Sequence, residues 1–188
     1  MRPITLKIAI ASLAFLSLSA CESPFRANVT RFQMMPPPAG QSFVIQASNP
    51  QDKGGLEFEH YADIVAHQLW QQGYQPAAPG APSTLIVKLD YGIDNGQQKV
   101  ASTSYGYGGW GGGTDVYSYT LYTTFFKMEI DRSNDGQRVF EGRARAQVTT
   151  DNMTQLVPDL IQAMFVNFPG HSGEDVEVKL TNDKKKRK

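Results

Sequence analysis

Cys21 is the residue whose type and position most clearly indicate covalent chemistry. It is the only cysteine in the 188-residue chain, so no second thiol is present to form a disulfide. Two small residues, Ser19 and Ala20, stand directly before it, after a basic segment with Arg2 and Lys7 and an apolar run. This order of basic, apolar and small residues is typical of a secretory signal peptide. We therefore predict cleavage between Ala20 and Cys21.

The end of this segment resembles the lipobox of bacterial lipoproteins, a small-residue cleavage site that stops at a cysteine. The resemblance implies that residues 1–20 are removed and that acyl groups on Cys21 attach the protein to a membrane. An uncleaved transmembrane helix needs ~20 apolar residues, and this run is shorter. A plain secreted protein would leave Cys21 as an unpaired thiol in an oxidising compartment. By the same resemblance, Glu22 favours the periplasmic face of the outer membrane, with the inner membrane as the alternative.

The charge of the chain is divided between its body and its last five residues. Between Glu22 and Asp183 there are 18 acidic and 11 basic residues, a net charge of −7, whereas residues 184–188 add +5. An acidic body argues against nucleic-acid binding, because such domains carry their basic surface on the fold itself. We interpret the tail as a disordered, solvated end. Attraction of the tail to anionic head groups is the alternative.

His60, Asp63 and His67 have a helical spacing that invites comparison with metal ligands. They stand at i, i+3 and i+7, whereas two histidines that bind zinc from one helix are normally spaced i, i+4 and need a further ligand from elsewhere. We interpret the three residues as a solvated helix face. The sequence therefore predicts no metal and no cofactor.

The segment Gly170–Gly173, which contains Ser172, partly matches a nucleophile elbow. Glu174 stands where that motif needs glycine, and a predicted helix precedes the segment where the motif needs a strand. No other constellation of catalytic residues is recognisable in the sequence. We therefore predict no catalytic residue and expect that the protein is not an enzyme.

A loop rich in glycine and aromatic residues, predicted at residues 102–114, is the best candidate for a contact surface. Residues 106–111 fit G-x-G-x-x-G, but a β-branched and aromatic run follows where phosphate binding needs a helix. One interpretation is a flexible hairpin loop in which glycine supplies positive φ angles. The other is an exposed aromatic tip in which Tyr105, Tyr107 and Trp110 contact lipid, glycan or protein.

Apolar periodicity predicts one α+β domain over residues 21–183, with a curved antiparallel sheet of about six strands and two main helices packed on one face. The helices are expected at 56–73 and 158–168, the second with Pro158 at its first position. A long strand from Val116 to Arg132 changes phase near Tyr122, which predicts a bulge. The other strands are predicted at 28–34, 42–47, 84–93, 138–148 and 176–180.

In this order of elements the chain resembles the bacterial lipoproteins of domain of unknown function 4136. The resemblance is carried by structural motifs at residues 40–45, 56–58, 61–62, 73–74, 87–92, 140–144 and 168–170. It implies an α+β fold with a curved antiparallel sheet and helices on one face. The family has no established activity, so the resemblance supplies no catalytic residue.

Two hypotheses for function follow. The first is a non-enzymatic, lipid-anchored lipoprotein of the cell envelope that faces the periplasm. It would act as a scaffold or accessory protein and bind an envelope protein through its sheet edge or the aromatic tip. The second is a lipoprotein that carries a lipid or glycan in a groove between the sheet and the helices.

Overall fold

The computed structural model describes residues 24–105 and 113–181. Within these residues the chain forms two α-helices and eight β-strands, and Arg26–Leu180 make up one compact unit. The helices are α1 Leu56–Gln71 and α2 Met153–Phe165, and a short 3₁₀ turn, Pro50–Asp52, precedes α1. The strands are β1 Phe25–Gln33, β2 Ser42–Ala47, β3 Gln75–Pro76, β4 Leu85–Ile93, β5 Gln97–Tyr105, β6 Gly113–Arg132, β7 Arg138–Val148 and β8 Glu174–Leu180.

The strands form a mixed sheet in the order β3-β2-β4-β6-β7-β1-β8, and β5 pairs with β6 outside this path. Strand β2 runs parallel to β3 and β4, whereas β6 is antiparallel to β4, β5 and β7. The combination of helices and strands is confirmed, but the predicted number of about six antiparallel strands is wrong. Helix α1 carries the chain from the end of β2 back to the start of β4, and such a crossover makes the two strands parallel. The strands that the sequence did not predict are the very short β3 and the polar β5.

Helix α1 confirms the predicted apolar stripe. Its buried residues repeat at intervals of three and four, which places them on one side of the helix. Gly73 follows the last turn with a φ of +94°, the left-handed conformation that glycine adopts most readily at the end of a helix. The stripe consists of Phe58, Tyr61, Ala62, Val65 and Leu69.

Helix α2 begins five residues earlier than predicted, at Met153 instead of Pro158. Pro158 lies inside the helix, where it lacks the N–H that would bond to the carbonyl of Thr154. Leu156 and Val157, which come before the proline, are both buried. Their burial offsets the missing hydrogen bond, and tertiary packing therefore decides where this helix starts.

The core lies between the helices and one face of the sheet, called here the inner face; the opposite face is the outer face. From Thr124 to Ile130, strand β6 alternates as predicted, with every second side chain buried on the inner face. Strand β7 does the same, and α2 contacts both strands as well as α1. The central buried side chains of these elements are Phe126, Met128, Ile130, Phe140, Ala144, Leu160, Ile161 and Met164.

Strand β1 faces the core with Ala27, Val29 and Arg31, all of them buried, whereas Phe32 is exposed. Successive side chains of a strand point to opposite faces, so Val29 and Phe32 cannot point to the same side. The buried arginine is accommodated because polar groups of α2 and β8 surround it.

In the described part of the chain, no helix has both the length and the apolar character needed to cross a bilayer.

Candidate interaction site

Strand β5 and the first half of β6 form a two-stranded antiparallel ribbon, which we call the ribbon (residues 97–105 and 113–121). Nine residue pairs join its strands, from Gln97 opposite Leu121 to Tyr105 opposite Gly113. Nine residues at ~3.3 Å each give a length of about 30 Å. Among the described residues, β5 pairs only with β6, and β6 begins to pair with β7 only at Tyr122. Both outer edges of the ribbon therefore present unpaired backbone groups.

An irregularity at the base of the ribbon separates it from the sheet. Between the pairs Ile93–Thr124 and Gln97–Leu121, three residues (94–96) oppose two (122–123). The bulge predicted in β6 near Tyr122 is wrong, because β6 pairs with β7 in unbroken register from Tyr122 to Ile130 and its register shift lies between Ile130 and Asp131. The extra residue near Tyr122 belongs to the segment opposite, and β6 does not change phase, because Tyr117 and Tyr119 are exposed.

Asp94 and Gly96 hold this base together. One carboxylate oxygen of Asp94, Oδ1, accepts hydrogen bonds from the backbone N–H groups of Thr123, at 2.9 Å, and Gly96, at 3.0 Å. These bonds, that of Thr123 foremost, keep the pKa of the Asp94 carboxyl below its usual value. Gly96 has a φ of +75°, and a Cβ there would lie 2.6 Å from Thr120 Cγ2. Only glycine meets both requirements without strain.

The two faces of the ribbon differ in chemistry. Alternation places Tyr105, Tyr117 and Tyr119 on one face, and the rings of the last two are 6.2 Å apart. The other face carries Val100 and Val116, which are 73% and 68% exposed. Charged side chains that would discourage pairing with another strand are restricted to Lys99 and Asp115.

The structure places only some of the predicted contact residues. Tyr105 is the last residue of β5 and is exposed, whereas Tyr107 and Trp110 lie outside the described residues. Residues 102–105 and 113–114, predicted as loop, are strand. The lipid-attachment residue Cys21, its neighbour Ala20 and the tail 184–188 also lie outside the described residues.

His60, Asp63 and His67 are exposed on α1, as predicted. No group of three or more His, Cys, Asp or Glu side chains in residues 24–105 and 113–181 is arranged to hold a metal ion. Ser172 is exposed, and its hydroxyl accepts a hydrogen bond from the backbone N–H of Gln33 at 3.1 Å. That contact holds the loop before β8 against β1, a structural role for the hydroxyl.

A cluster of Glu57, Tyr61 and Tyr91 at the start of α1 contains the most perturbed phenols of the described chain. The Tyr61 hydroxyl lies 3.0 Å from Glu57 Oε1 and 3.2 Å from the Met153 carbonyl, so it bridges the two helices. Burial, followed by the nearby Glu57 carboxylate, raises the pKa of Tyr61 and brings that of Tyr91 to about 12. Both phenols therefore stay protonated at neutral pH, which suits a hydrogen-bond donor and not a base.

The ribbon was difficult to recognise from its sequence. Residues 97–105 contain only Val100, Ala101 and Tyr105 as apolar residues, so the period of two that marks a half-buried strand is absent. The useful signal is the Asp94-Asn95-Gly96 turn, followed after nine residues by the glycine-rich segment. Two turn signals at that spacing are typical of short paired strands.

Two solved structures align with this chain. A PDZ domain protein from Parabacteroides distasonis ATCC 8503 aligns over 91% of this chain with a TM-score of 0.50 and 12% identity. This chain spans only 41% of that protein, and the likeness shows the fold alone. A dodecamer of a PelC variant from Paraburkholderia phytofirmans aligns over 72% of this chain and 91% of its own, with 12% identity and a TM-score of 0.39.

No curated protein matches the sequence. The model of a domain of unknown function, DUF4136, matches residues 27–170, from β1 to the loop that follows α2. The match covers the helices, the ribbon and all but one of the strands of the sheet. The chain therefore belongs to the DUF4136 family.

Proposed function

We propose that this chain is a non-enzymatic lipoprotein of the cell envelope, held on a membrane by acyl groups on Cys21 and facing the periplasm. It acts as a scaffold or accessory protein by binding a protein partner through the ribbon. The anchor is supported by the sequence before Cys21 and by the resemblance to a lipobox. The outer membrane is the preferred location because Glu22 follows the cysteine.

The observation that carries the binding role is the pair of unpaired edges on the ribbon. An exposed edge can accept an extended segment of another protein as an additional strand, and backbone hydrogen bonds then supply affinity. Natural proteins normally block such edges with charges, prolines or a covering element. The ribbon has one charge on each strand and no proline, so its edges are available for pairing.

The side chains of the ribbon favour a protein partner. Tyrosine is enriched where proteins contact one another, because it combines a large apolar surface with a hydroxyl group. The tyrosine face of the ribbon carries three such residues, and Tyr117 is 53% exposed. A partner strand that pairs with β5 or β6 would bring its own alternate side chains beside these rings.

The anchor is tested by the intact mass of the protein purified from its native host. The expected chain begins at Cys21 and carries additional fatty-acyl mass. A chain that still begins at Met1, or one without acyl mass, would contradict the anchor.

The binding role is tested with two variants, Val100→Lys and Tyr117→Lys, each compared with the wild type after purification from detergent-solubilised envelopes. A lysine on a strand edge discourages pairing with a further strand. We expect both variants to lose the main co-purifying protein. A matched control, Gln68→Lys on α1, adds the same charge away from the ribbon and should retain it. Loss of the protein in all three variants, or in none, would refute binding through the ribbon.

A further inference from the structure

The outer face of the sheet divides into a neutral half and a basic half. In the neutral half, acidic and basic side chains form a connected network. Asp131 accepts from Lys88 at 2.9 Å and from Arg138 at 2.9 Å, and Arg138 also donates to Glu129 at 2.6 Å. The full network contains three carboxylates and three cations: Glu129, Asp131, Glu141, Lys88, Lys127 and Arg138.

The basic half lies toward the ribbon and the start of β1. Arg143 and Arg145 point outward on β7, and neither makes an ion pair with any described residue. The guanidinium of Arg143 lies 4.9 Å from the centre of the Phe125 ring. Because the ring carries no net charge, the positive charge of Arg143 is not neutralised there. Arg26, at the start of β1, donates to Glu177 at 2.9 Å. Two of the three arginines of this half therefore have no carboxylate partner in the described chain.

A surface cavity of about 430 Å³, which we call the arginine cleft, opens in this basic half. Arg26 and Arg145 contribute cations, Glu177 contributes one carboxylate, and Asn28, Thr123 and Gln147 contribute neutral polar side chains. Glu177 is already engaged, because Lys179 Nζ lies 3.4 Å from the same oxygen that accepts from Arg26. The cleft thus combines a net positive charge with neutral groups that form hydrogen bonds, which suits a phosphate with attached hydroxyl groups.

We infer that the arginine cleft binds the phosphate of an anionic lipid head group in the membrane that holds Cys21. The inference extends the proposed function, because it rests on the lipid anchor. Four residues lie between Cys21 and Arg26, so five steps along the chain join them, and at ~3.6 Å per step these span at most about 18 Å. An acylated Cys21 therefore keeps the start of β1, and the cleft beside it, within reach of the lipid surface. Arg145 and Arg26 bind the phosphate, while Asn28, Thr123 and Gln147 hold the polar part of the head group.

The cleft would orient the protein as well as bind lipid. One acyl-bearing residue fixes a single point of the chain and allows the body to rotate. A second contact between the cleft and a head group fixes the outer face of the sheet with respect to the membrane. Because β6 passes from the cleft at Thr123 into the ribbon, that contact also sets the direction of the ribbon.

Vesicle binding of the unacylated protein tests this inference independently of the anchor. The protein begins at residue 21 with Cys21→Ser, and glutamine replaces the five basic residues 184–188, so that neither acyl groups nor the tail attract it to lipid. Sedimentation compares vesicles rich in phosphatidylglycerol with vesicles of phosphatidylcholine alone. We expect binding only to the anionic vesicles, about fivefold weaker for Arg145→Gln and weaker still for Arg143→Gln/Arg145→Gln. The control Arg132→Gln removes an equal charge from the other end of β6 and should change binding less than about twofold.

Equal losses for Arg145→Gln and Arg132→Gln would overturn the inference, because they would show general charge attraction and no specific cleft. Absence of binding to anionic vesicles would overturn it as well. NMR titration with glycerol 1-phosphate separates the two sources of phosphate. Shifts at Arg145 and Asn28 without vesicle binding would assign the cleft to a soluble phosphate and contradict the lipid assignment. The result on vesicles stands whether or not Cys21 is acylated in the host, so a failed anchor and a failed cleft are distinguishable.

Discussion

Arg31 and Glu174 form an ion pair beneath the last turn of α2, and the pair joins β1, α2 and β8. The Arg31 side chain is 1% exposed, and its Nη1 donates to Glu174 Oε1. Its Nη2 donates to the carbonyl oxygens of Ala163 at 3.2 Å, Met164 at 2.8 Å and Val166 at 2.8 Å. The last carbonyls of a helix lack partners within the helix and carry partial negative charge. One guanidinium therefore satisfies both the helix end and the carboxylate.

Replacing Arg31 by methionine should destabilise the fold strongly. The change leaves the Glu174 carboxylate and three carbonyls without their donor, and breaking a buried pair in this way costs about 3–5 kcal/mol. Urea unfolding at neutral pH measures the loss. The matched control is Arg26→Met, which removes an exposed ion pair from the same strand and should leave the free energy of unfolding nearly unchanged. Similar losses in both variants would contradict the assigned role of Arg31.

The ion pair between Arg31 and Glu174 makes the free energy of unfolding depend on pH. Burial, the largest single influence, raises the pKa of Glu174, but the hydrogen bonds from Arg31 and the His171 backbone, together with the charge of Arg31, outweigh it and hold the pKa below its usual value. A carboxyl whose pKa is lower in the folded state stabilises the protein above its unfolded pKa of about 4.3, and this stabilisation is lost as the pH falls through the folded value. Urea unfolding at neutral pH and below pH ~4 should therefore show a smaller acid loss for Glu174→Gln than for the wild type. An unchanged acid loss would refute the prediction.

Gly96 provides a test of the ribbon base. An alanine there must adopt a positive φ and place its Cβ 2.6 Å from Thr120 and 2.7 Å from the Tyr122 ring. We expect Gly96→Ala to cost about 1–3 kcal/mol and to increase hydrogen exchange in β5. The control Gly80→Ala has a similar φ of +76° but no atom within 4 Å of the new Cβ, so it isolates the backbone cost. An equal cost at both positions would show that the packing against Thr120 and Tyr122 is unimportant.

Among the carboxylates of the outer face, Asp131 should be the one whose replacement most lowers the free energy of unfolding. It is buried, and the hydrogen bond from Arg138, followed by that from Lys88, lowers the pKa of its carboxyl. Asp131→Asn removes the charge that both cations require, and we expect urea unfolding to show a loss of about 1–3 kcal/mol. Asp63→Asn, on the exposed side of α1, is the control and should be neutral. A neutral Asp131→Asn would show that the network contributes nothing measurable.

The sequence predicts the elements of this fold in which apolar residues repeat with one constant spacing, that of a helix or that of a strand. The stripe of α1, the alternation of Phe126, Met128 and Ile130, and the bounds of β2 and β7 are all confirmed. These features depend on which residues of one short segment are apolar and how they are spaced, and that pattern is visible in the segment itself.

Features that depend on distant contacts could not be read from local spacing. Arg31 looks like a surface residue until the carbonyls of α2, more than 130 positions away, are brought beside it. The start of α2 before Pro158 and the parallel direction of β2 likewise follow from packing and chain crossover. The ribbon escapes a search for core periodicity because neither of its faces is buried in the described chain.

Site-specific photocrosslinking in the native host tests whether the ribbon binds a partner protein. A photoreactive phenylalanine analogue replaces Tyr117 on the ribbon in one strain and His60, on the exposed side of α1, in a control strain. Both positions are exposed, so the two proteins differ in the surface that they probe. We expect a discrete protein adduct from position 117 that Val100→Lys abolishes, and no such adduct from position 60. Absence of any protein adduct from position 117, or the same adduct from both positions, would contradict the assignment of the ribbon as the binding surface.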